Sequence, residues 1–240
     1  MSDRLLELLR TRSFRQGRFT LASGRESDFF IDCKPVVLSA EGHALVGPRM
    51  LHAIESFEGA PPVAVCGVVL GGCPLASAVA LASYHQDAAS ALDAVYVRKE
   101  VKDHGSKKRL EGADHLRAGA RVAVVEDTVT TGGSTISAVG ALREAGLDVV
   151  GVVAIVDRLE GAAEAFATAS LPFRALFTRH DFIPESAGSA ADVIPESAGS
   201  AADVIPASAG SAADVIPESA GSAADVIPAS AGSAADFIPE

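Results

Sequence analysis

The chain has 240 residues, which is room for one ordinary domain and an additional segment. Its formal net charge is −11, but residues 183–240 carry nine carboxylates and no Lys or Arg, so they account for −9 of it. The first 182 residues are therefore nearly neutral at −2, which argues against a protein that coats nucleic acid with a basic face.

The cysteines and the apolar runs bear on the compartment. Three cysteines, at positions 33, 66 and 73, show no paired spacing, so neither a disulfide framework nor a zinc site is indicated. The opening MSDRLLELLR interleaves charges with leucines, unlike a signal peptide. No apolar run approaches the roughly 20 residues of a membrane span. We therefore expect a cytoplasmic protein with no membrane partner.

The first sixty residues predict a helix, a hairpin and a second helix. Ser2 is the candidate cap of a first helix with a leucine-rich face. Residues 19–21 and 28–32 flank a turn-rich segment and are predicted as the two strands of a hairpin. A longer helix is predicted over residues 41–57, with Ser39 as its cap.

From residue 63 onward, short apolar runs alternate with helical patterns. Strands are predicted at 63–69, 94–97, 121–125, 149–156 and 173–177, and helices at 74–83, 132–146 and 162–169. Residues 98–119 are polar and glycine-punctuated, which predicts a long mobile loop. This rhythm predicts an α/β fold with a parallel sheet and helices on both faces. Because ligands of such sheets bind at the carboxyl ends of strands, the residues just after each run are the informative ones.

The segment 121–134 carries the strongest chemical signal. Its apolar strand ends in Glu126 and Asp127, and a loop rich in Thr, Gly and Ser then opens a helix. The hydroxyls and backbone N–H groups of residues 130–134 form a cradle suited to a phosphate. The two carboxylates repel a phosphate but can accept hydrogen bonds from sugar hydroxyls. No Lys follows the glycines, so this is not the nucleotide-binding P-loop pattern. The segment therefore predicts a ribose phosphate ligand.

Three segments resemble the orotate phosphoribosyltransferase family, within the type I phosphoribosyltransferases. Residues 124–134 resemble the signature that binds 5-phosphoribosyl 1-diphosphate (PRPP). Residues 96–105, YVRKEVKDHG, resemble the mobile catalytic loop, with its Arg-Lys-x-x-Lys-Asp-His-Gly pattern. Residues 19–32 resemble the N-terminal hairpin. The segments stand in the family's order and spacing, so the resemblance covers residues 1 to about 185.

The resemblance implies a fold, a reaction and its catalytic residues. The fold is a parallel sheet flanked by helices, with the N-terminal hairpin as a hood. The reaction transfers the phosphoribosyl group of PRPP to orotate, giving orotidine 5′-monophosphate and diphosphate in pyrimidine synthesis. Lys102 is the main catalytic lysine, with Asp103 and His104 beside it. Cations in this loop can neutralise the charge that builds on the leaving diphosphate.

The resemblance also assigns the binding residues. Those for PRPP are Arg98, Lys99, Lys102, His104, Glu126, Asp127, Thr128, Val129, Thr130, Thr131, Gly132, Gly133 and Ser134. Those for orotate are Thr130, Arg158 and Phe30. By its sequence position alone, Arg158 could equally be a surface arginine, and Phe30 could equally belong to the core. Mg²⁺ is expected mainly through the substrate's diphosphate, with no protein ligand assigned, and the expected assembly is a homodimer with shared active sites.

The sequence departs from the family pattern at two places, and two other functions compete with the main interpretation. Ala22 and the segment 70–72 stand where the family often has lysine, and Lys34 is a candidate replacement cation.

A purine-base phosphoribosyltransferase would explain residues 124–134 but not the loop pattern. A regulator that keeps the fold and binds nucleic acid would need a basic surface, which a charge of −2 does not provide.

The C-terminal segment is repetitive. From Asp181 an 11-residue unit recurs, beginning Asp-Phe-Ile-Pro or Asp-Val-Ile-Pro. A proline in each unit argues against a helix, and the Ala, Ser, Gly and acidic content predicts disorder. We divide the chain into a phosphoribosyltransferase domain, 1–182, and a tail, 183–240. Both 181–185 and 236–240 read Asp-Phe-Ile-Pro-Glu, so the repeats between them are expected to be dispensable for catalysis.

Overall fold

The structure is a computed structural model that describes residues 3–20, 26–98 and 109–183, all within one compact unit. The helices are α1 (Arg4–Arg12), α2 (Lys34–Val37), α3 (Ala40–Glu55), α4 (Gly72–Gln86), α5 (Gly133–Glu144), α6 (Ala162–Thr168) and α7 (Arg179–Phe182), with a 3-10 turn at Ala88–Ser90. The strands are β1 (Phe14–Thr20), β2 (Glu26–Ile31), β3 (Ala64–Val68), β4 (Asp93–Val97), β5 (Leu110–Glu111), β6 (Arg121–Val129), β7 (Asp148–Asp157) and β8 (Phe173–Thr178).

In the described residues, a six-stranded sheet of order β5-β4-β3-β6-β7-β8 forms the centre, and β1 and β2 form a separate antiparallel hairpin. All neighbours in the large sheet are parallel except β4 and β5. The predicted α/β fold is confirmed. After β3 the chain moves to one side for β4 and returns to the other side for β6. This change of direction leaves a crevice between the carboxyl ends of β3 and β6, where such folds bind ligands.

Alternate residues of the strands pack into two cores. Val65, Ala123 and Ile155 contribute to the core beneath α3 and α4, whereas Cys66 and Val124 contribute to the core beneath α5 and α6. Successive side chains of a strand point to opposite faces, so the two helix pairs cover the two faces of the sheet. This explains why the central strands read as continuous apolar runs.

Two helix starts test the predicted caps. Ser39 does cap α3, because its hydroxyl accepts a hydrogen bond from the N–H of Gly42. The prediction for α1 is wrong. Asp3 rather than Ser2 is the cap, and its carboxylate accepts from the N–H of Leu6 at 3.1 Å. A carboxylate at this position also complements the positive end of the helix dipole.

Other boundaries differ from the prediction at polar residues. Strand β6 continues through Val129, so the acid pair lies within the strand rather than beyond it. The predicted loop 98–119 is wrong at residues 110 and 111, which pair with β4. Residues 99–108 and the tail from residue 184 lie outside the described residues. Among the described segments, no helix has both the length and the apolar character that a membrane crossing needs.

Candidate active site

The turn between β6 and α5 has the form that the sequence predicts. Gly132 precedes the helix with φ of +77°, and a Cβ there would come within 2.9 Å of the Phe166 ring. Glycine is therefore required by both backbone conformation and space. The first N–H groups of a helix have no partner within it, and Gly133 and Ser134 are exposed. Residues 130–134 thus present hydroxyls and N–H groups at a helix N-terminus, an arrangement that suits a phosphate.

The two acids of β6 have different surroundings. Glu126 is buried and accepts a hydrogen bond from the Thr135 hydroxyl at 3.2 Å. Asp127 is half-buried, and its carboxylate accepts from the N–H of Thr128 at 2.8 Å. Burial raises the pKa of Asp127 above its ordinary value, against the opposing effects of that N–H and of Lys34. Asp127 is therefore the acid of the pair that lies toward the crevice.

The loop after β3 packs against Asp127. A Cβ on Gly71 would overlap the Asp127 carboxylate, and one on Gly67 would overlap the backbone of Gly72. The peptide bond between Val69 and Leu70 is cis. Because Gly71 and Gly72 have no side chains, the backbone of this loop can lie directly against the end of β6. The Gly-Gly loop therefore borders the same crevice as the β6 turn, which the sequence predicts to bind a phosphate.

The segment that follows the hairpin, residues 32–34, packs against the end of β6. Cys33 is buried, with its sulfur 3.5 Å from the Thr128 hydroxyl. Burial raises the pKa of Cys33 to about 12, so it is a packed thiol rather than a nucleophile. Next to it, the Lys34 ammonium donates to Asp32 at 2.6 Å. The sequence suggested Lys34 as a cation, but it gave no reason to link Asp32 with the site.

Arg158 lies at the end of β7 and is 4% exposed, so it is not the surface arginine that its position also allowed. Its guanidinium lies 4.2 Å from the centre of the Phe29 ring. Its Nε donates to Glu160 at 2.7 Å, and its Nη2 donates to Ser27 at 2.9 Å. The contact with the Phe29 ring and the two hydrogen bonds hold the guanidinium in one orientation. A buried, oriented guanidinium is suited to bidentate binding of a carboxylate.

Sequence reasoning missed the partners of Arg158. Ser27 and Phe29 lie on the hairpin, more than 120 residues away along the chain. The available signal was Glu160, a carboxylate two residues beyond the arginine. Phe30 points to the opposite side of β2 from Phe29, is 39% exposed and lies 5.7 Å from the Phe19 ring, so the core alternative is wrong for it.

The remaining predicted residues divide between described and undescribed parts of the chain. Arg98 pairs with Glu111 of β5, with its Nε 2.9 Å from the carboxylate. The Val129 side chain is buried in the core, so only its backbone faces the turn. Lys99, Lys102, Asp103 and His104 lie outside the described residues.

Comparison with known proteins agrees with the class that this fold and site define. A family profile described as "Phosphoribosyl transferase domain" matches residues 50–170. The chain is a phosphoribosyltransferase of type I architecture. It is 60% identical over 184 residues to the orotate phosphoribosyltransferase of Sorangium cellulosum, a match covering 77% of this chain and 94% of the relative. It is 47% identical over 184 residues to that of a Bradyrhizobium species, covering 75% and 96%.

A solved structure extends the comparison. The Mycobacterium tuberculosis orotate phosphoribosyltransferase in complex with PRPP is 35% identical, with a TM-score of 0.59, over 74% of this chain and 96% of that one. The chain belongs to the orotate phosphoribosyltransferase family. This confirms the main interpretation of the sequence over the purine-base and regulator alternatives.

Proposed function

We propose that this chain transfers the phosphoribosyl group of PRPP to orotate, and that the crevice between β3 and β6 is where it does so. The observation that carries the proposal is the pairing of an anion cradle with a buried arginine. Residues 130–134 suit the 5′-phosphate, and Arg158 suits the orotate carboxylate. Thr130, the first residue of that cradle, would contact the base. Few ligand pairs other than a sugar phosphate and a carboxylated base need both features.

The reaction follows from charge and position. A nitrogen of orotate forms a bond to the anomeric carbon as the carbon–oxygen bond to diphosphate breaks, and positive charge develops on the ribose. Asp127 would accept hydrogen bonds from the ribose hydroxyls and hold the sugar against the loop after β3. The cationic loop, with Lys102, Asp103 and His104, would stabilise the departing diphosphate. Catalysis is then chiefly positioning and electrostatic stabilisation.

Mg²⁺ is proposed to enter with PRPP. Within residues 3–20, 26–98 and 109–183, no three His, Cys, Asp or Glu side chains are grouped to hold a metal. Mg²⁺ commonly binds substrate phosphates and keeps several waters, so the diphosphate of PRPP is its proposed ligand. The ion would supply neutralising charge on that diphosphate.

A cytoplasmic homodimer with shared sites is the proposed assembly. Two apolar side chains of α4, Leu81 and Tyr84, are 54% and 59% exposed. They are three residues apart, so they share one face of the helix. Such a face is available to a second copy of the chain. In sedimentation velocity, Leu81→Arg should shift the protein toward monomer, whereas Val63→Arg, at a comparably exposed valine before β3, should not.

The reaction is tested by orotate consumption, followed by ultraviolet absorbance with PRPP and Mg²⁺. Wild type, Lys102→Ala and Lys107→Ala are compared. Lys107 is a matched control because it lies in the same charged segment but beyond the family pattern. We expect steady consumption by wild type and Lys107→Ala and almost none by Lys102→Ala. No consumption by wild type that still binds PRPP would contradict the proposed acceptor.

A further inference from the structure

We propose that Glu111 is a positioning residue that fixes the guanidinium of Arg98 for the diphosphate of PRPP. The inference rests on the proposed binding of PRPP by Arg98, and it adds a residue that does not touch the substrate. Glu111 lies on β5, a two-residue strand in a segment that the sequence predicts as loop. The sequence pattern alone therefore gives no reason to connect Glu111 with the site.

The backbone of Arg98 is held at the carboxyl end of the sheet. Its N–H donates to the carbonyl oxygen of Arg109 at 2.8 Å, which continues the pairing of β4 with β5. Beside it, the N–H of Val69 donates to the carbonyl oxygen of Val97 at 3.0 Å. Val69 begins the loop that contains Gly71 and borders the crevice. The backbone of Arg98 is therefore fixed next to the proposed diphosphate site.

The register of β4 and β5 brings Glu111 to the Arg98 side chain. Glu111 is paired with Tyr96, and Arg98 follows Tyr96 by two residues. Glu111 and Arg98 are thus diagonal neighbours across the two strands, a distance that long side chains can span. Tyr96 is itself tied to α4, because its hydroxyl lies 2.6 Å from the Ser77 hydroxyl.

Glu111 occupies one edge of the guanidinium and leaves the remainder free of that carboxylate. Its Oε1 accepts a hydrogen bond from the Arg98 Nε at 2.9 Å and lies 2.8 Å from Nη2. A guanidinium has five N–H groups in one plane, so three of them, two on Nη1 and one on Nη2, point away from Glu111. Two contacts to one oxygen set the plane of the group, and with it the direction of those three donors.

This ion pair is poorly placed to stabilise the fold. The side chains of Arg98 and Glu111 are 33% and 45% exposed, and ion pairs at such positions contribute little to the free energy of unfolding. Orienting a long side chain in advance does affect binding, because an ordered side chain loses less entropy when the ligand arrives. The effect of Glu111 is therefore expected on PRPP affinity.

The test is calorimetric titration with PRPP and Mg²⁺, without orotate. For Glu111→Ala we expect a Kd about three- to tenfold higher than that of wild type, the range for ordering one long side chain at an interface. Glu111→Gln keeps the acceptor oxygen and should recover part of the loss. Asp93→Ala is the matched control, because Asp93 pairs with His115 at 2.8 Å at the opposite end of β4, and it should leave the Kd unchanged. Tighter binding by Glu111→Ala would overturn the proposal, because the carboxylate would then compete with the diphosphate for Arg98.

A double-mutant cycle separates positioning from a general effect on β5. Arg98→Ala should weaken PRPP binding by more than about tenfold, and adding Glu111→Ala to it should cause no further loss. A further loss of the same size would overturn the proposal, because Glu111 would then act independently of Arg98. If Arg98→Ala binds PRPP as wild type does, the proposed role of Arg98 fails together with the inference. Because the titration omits orotate, an absence of turnover bears only on the proposed reaction.

Discussion

The Asp127 carboxylate occupies the position that a side chain at residue 71 would need, so this position requires glycine. The overlap that a Cβ would create involves the carboxyl carbon and both oxygens, and Asp127 is itself fixed by the Thr128 N–H. A side chain at position 71 must therefore move Asp127. A lysine at position 71, one of the three positions 70–72 where the resemblance implies a lysine, would require the acid to rearrange.

We accordingly expect Gly71→Ala to raise the KM for PRPP by roughly tenfold or more, because hydrogen bonds to a charged group contribute about 1.5–3 kcal/mol. The melting temperature should change little, since the loop lies at the crevice. Steady-state kinetics and thermal melts measure both. Gly140→Ala is the control, because nothing lies within 4 Å of its Cβ. An unchanged KM would show that Asp127 does not bind the sugar.

Arg158 allows a second prediction at this scale. A lysine keeps the charge but cannot donate to Glu160, to Ser27 and to a substrate carboxylate in one plane. Arg158→Lys should weaken orotate binding by about 2 kcal/mol, which corresponds to a roughly 30-fold higher KM for orotate. The KM for PRPP should stay within about twofold of the wild-type value. Arg179→Lys is matched, because Arg179 also lies over Phe29, at 5.0 Å, but is paired with exposed Asp28. Equal effects of the two substitutions would contradict the orotate assignment.

Individual site residues were predictable from the sequence where a charged side chain directly follows an apolar run. Asp127 and Arg158 both stand at the ends of apolar runs, and the topology of a parallel sheet brings such ends together. Their supporting groups were not predictable. Ser27 and Phe29 reach Arg158 through the folding of a distant segment, and nothing in the local pattern encodes that pairing.

Between elements, α3 and α4 approach each other closely. A Cβ on Gly47 would overlap the backbone oxygen of Ala78, so the two helices touch through glycine. Gly47→Ala should lower the free energy of unfolding by about 1–3 kcal/mol through overpacking. Gly140→Ala, inside α5 with open space around it, should raise it by up to about 1 kcal/mol through helix propensity. Urea denaturation measures the free energy of unfolding of both variants. Changes of the same sign in the two variants would contradict the close packing of α3 and α4.

The elements themselves were largely predictable, because the inner strands β3, β6 and β7 carry continuous buried apolar runs. The errors arise where tertiary pairing overrides composition. Strand β5 has two residues and includes Glu111, and it exists because β4 offers an unpaired edge. Likewise Glu126–Val129 continues β6 because β7 pairs with it there, although its polar residues resemble a loop.

At the scale of the whole molecule, α7 packs on the core near the end of the described residues. Phe182 is buried and stacks on Phe14 with ring centres 5.5 Å apart. Asp181 accepts hydrogen bonds from both the N–H and the hydroxyl of Thr178. The match with the Sorangium relative spans 184 residues and covers 94% of that protein but only 77% of this chain. The division near residue 182 stays a prediction.

We therefore expect a chain ending at Glu185 to fold and to consume orotate at a rate within about twofold of the full chain. The matched truncation ends at Thr178 and removes Phe182 together with the Asp181 cap. It should lose about 3 kcal/mol or more of stability, because a buried aromatic side chain contributes that much. Thermal melts and the orotate assay on the three chains measure both effects. If the chain ending at Glu185 folds but is inactive, the repeats take part in catalysis and the proposed division fails.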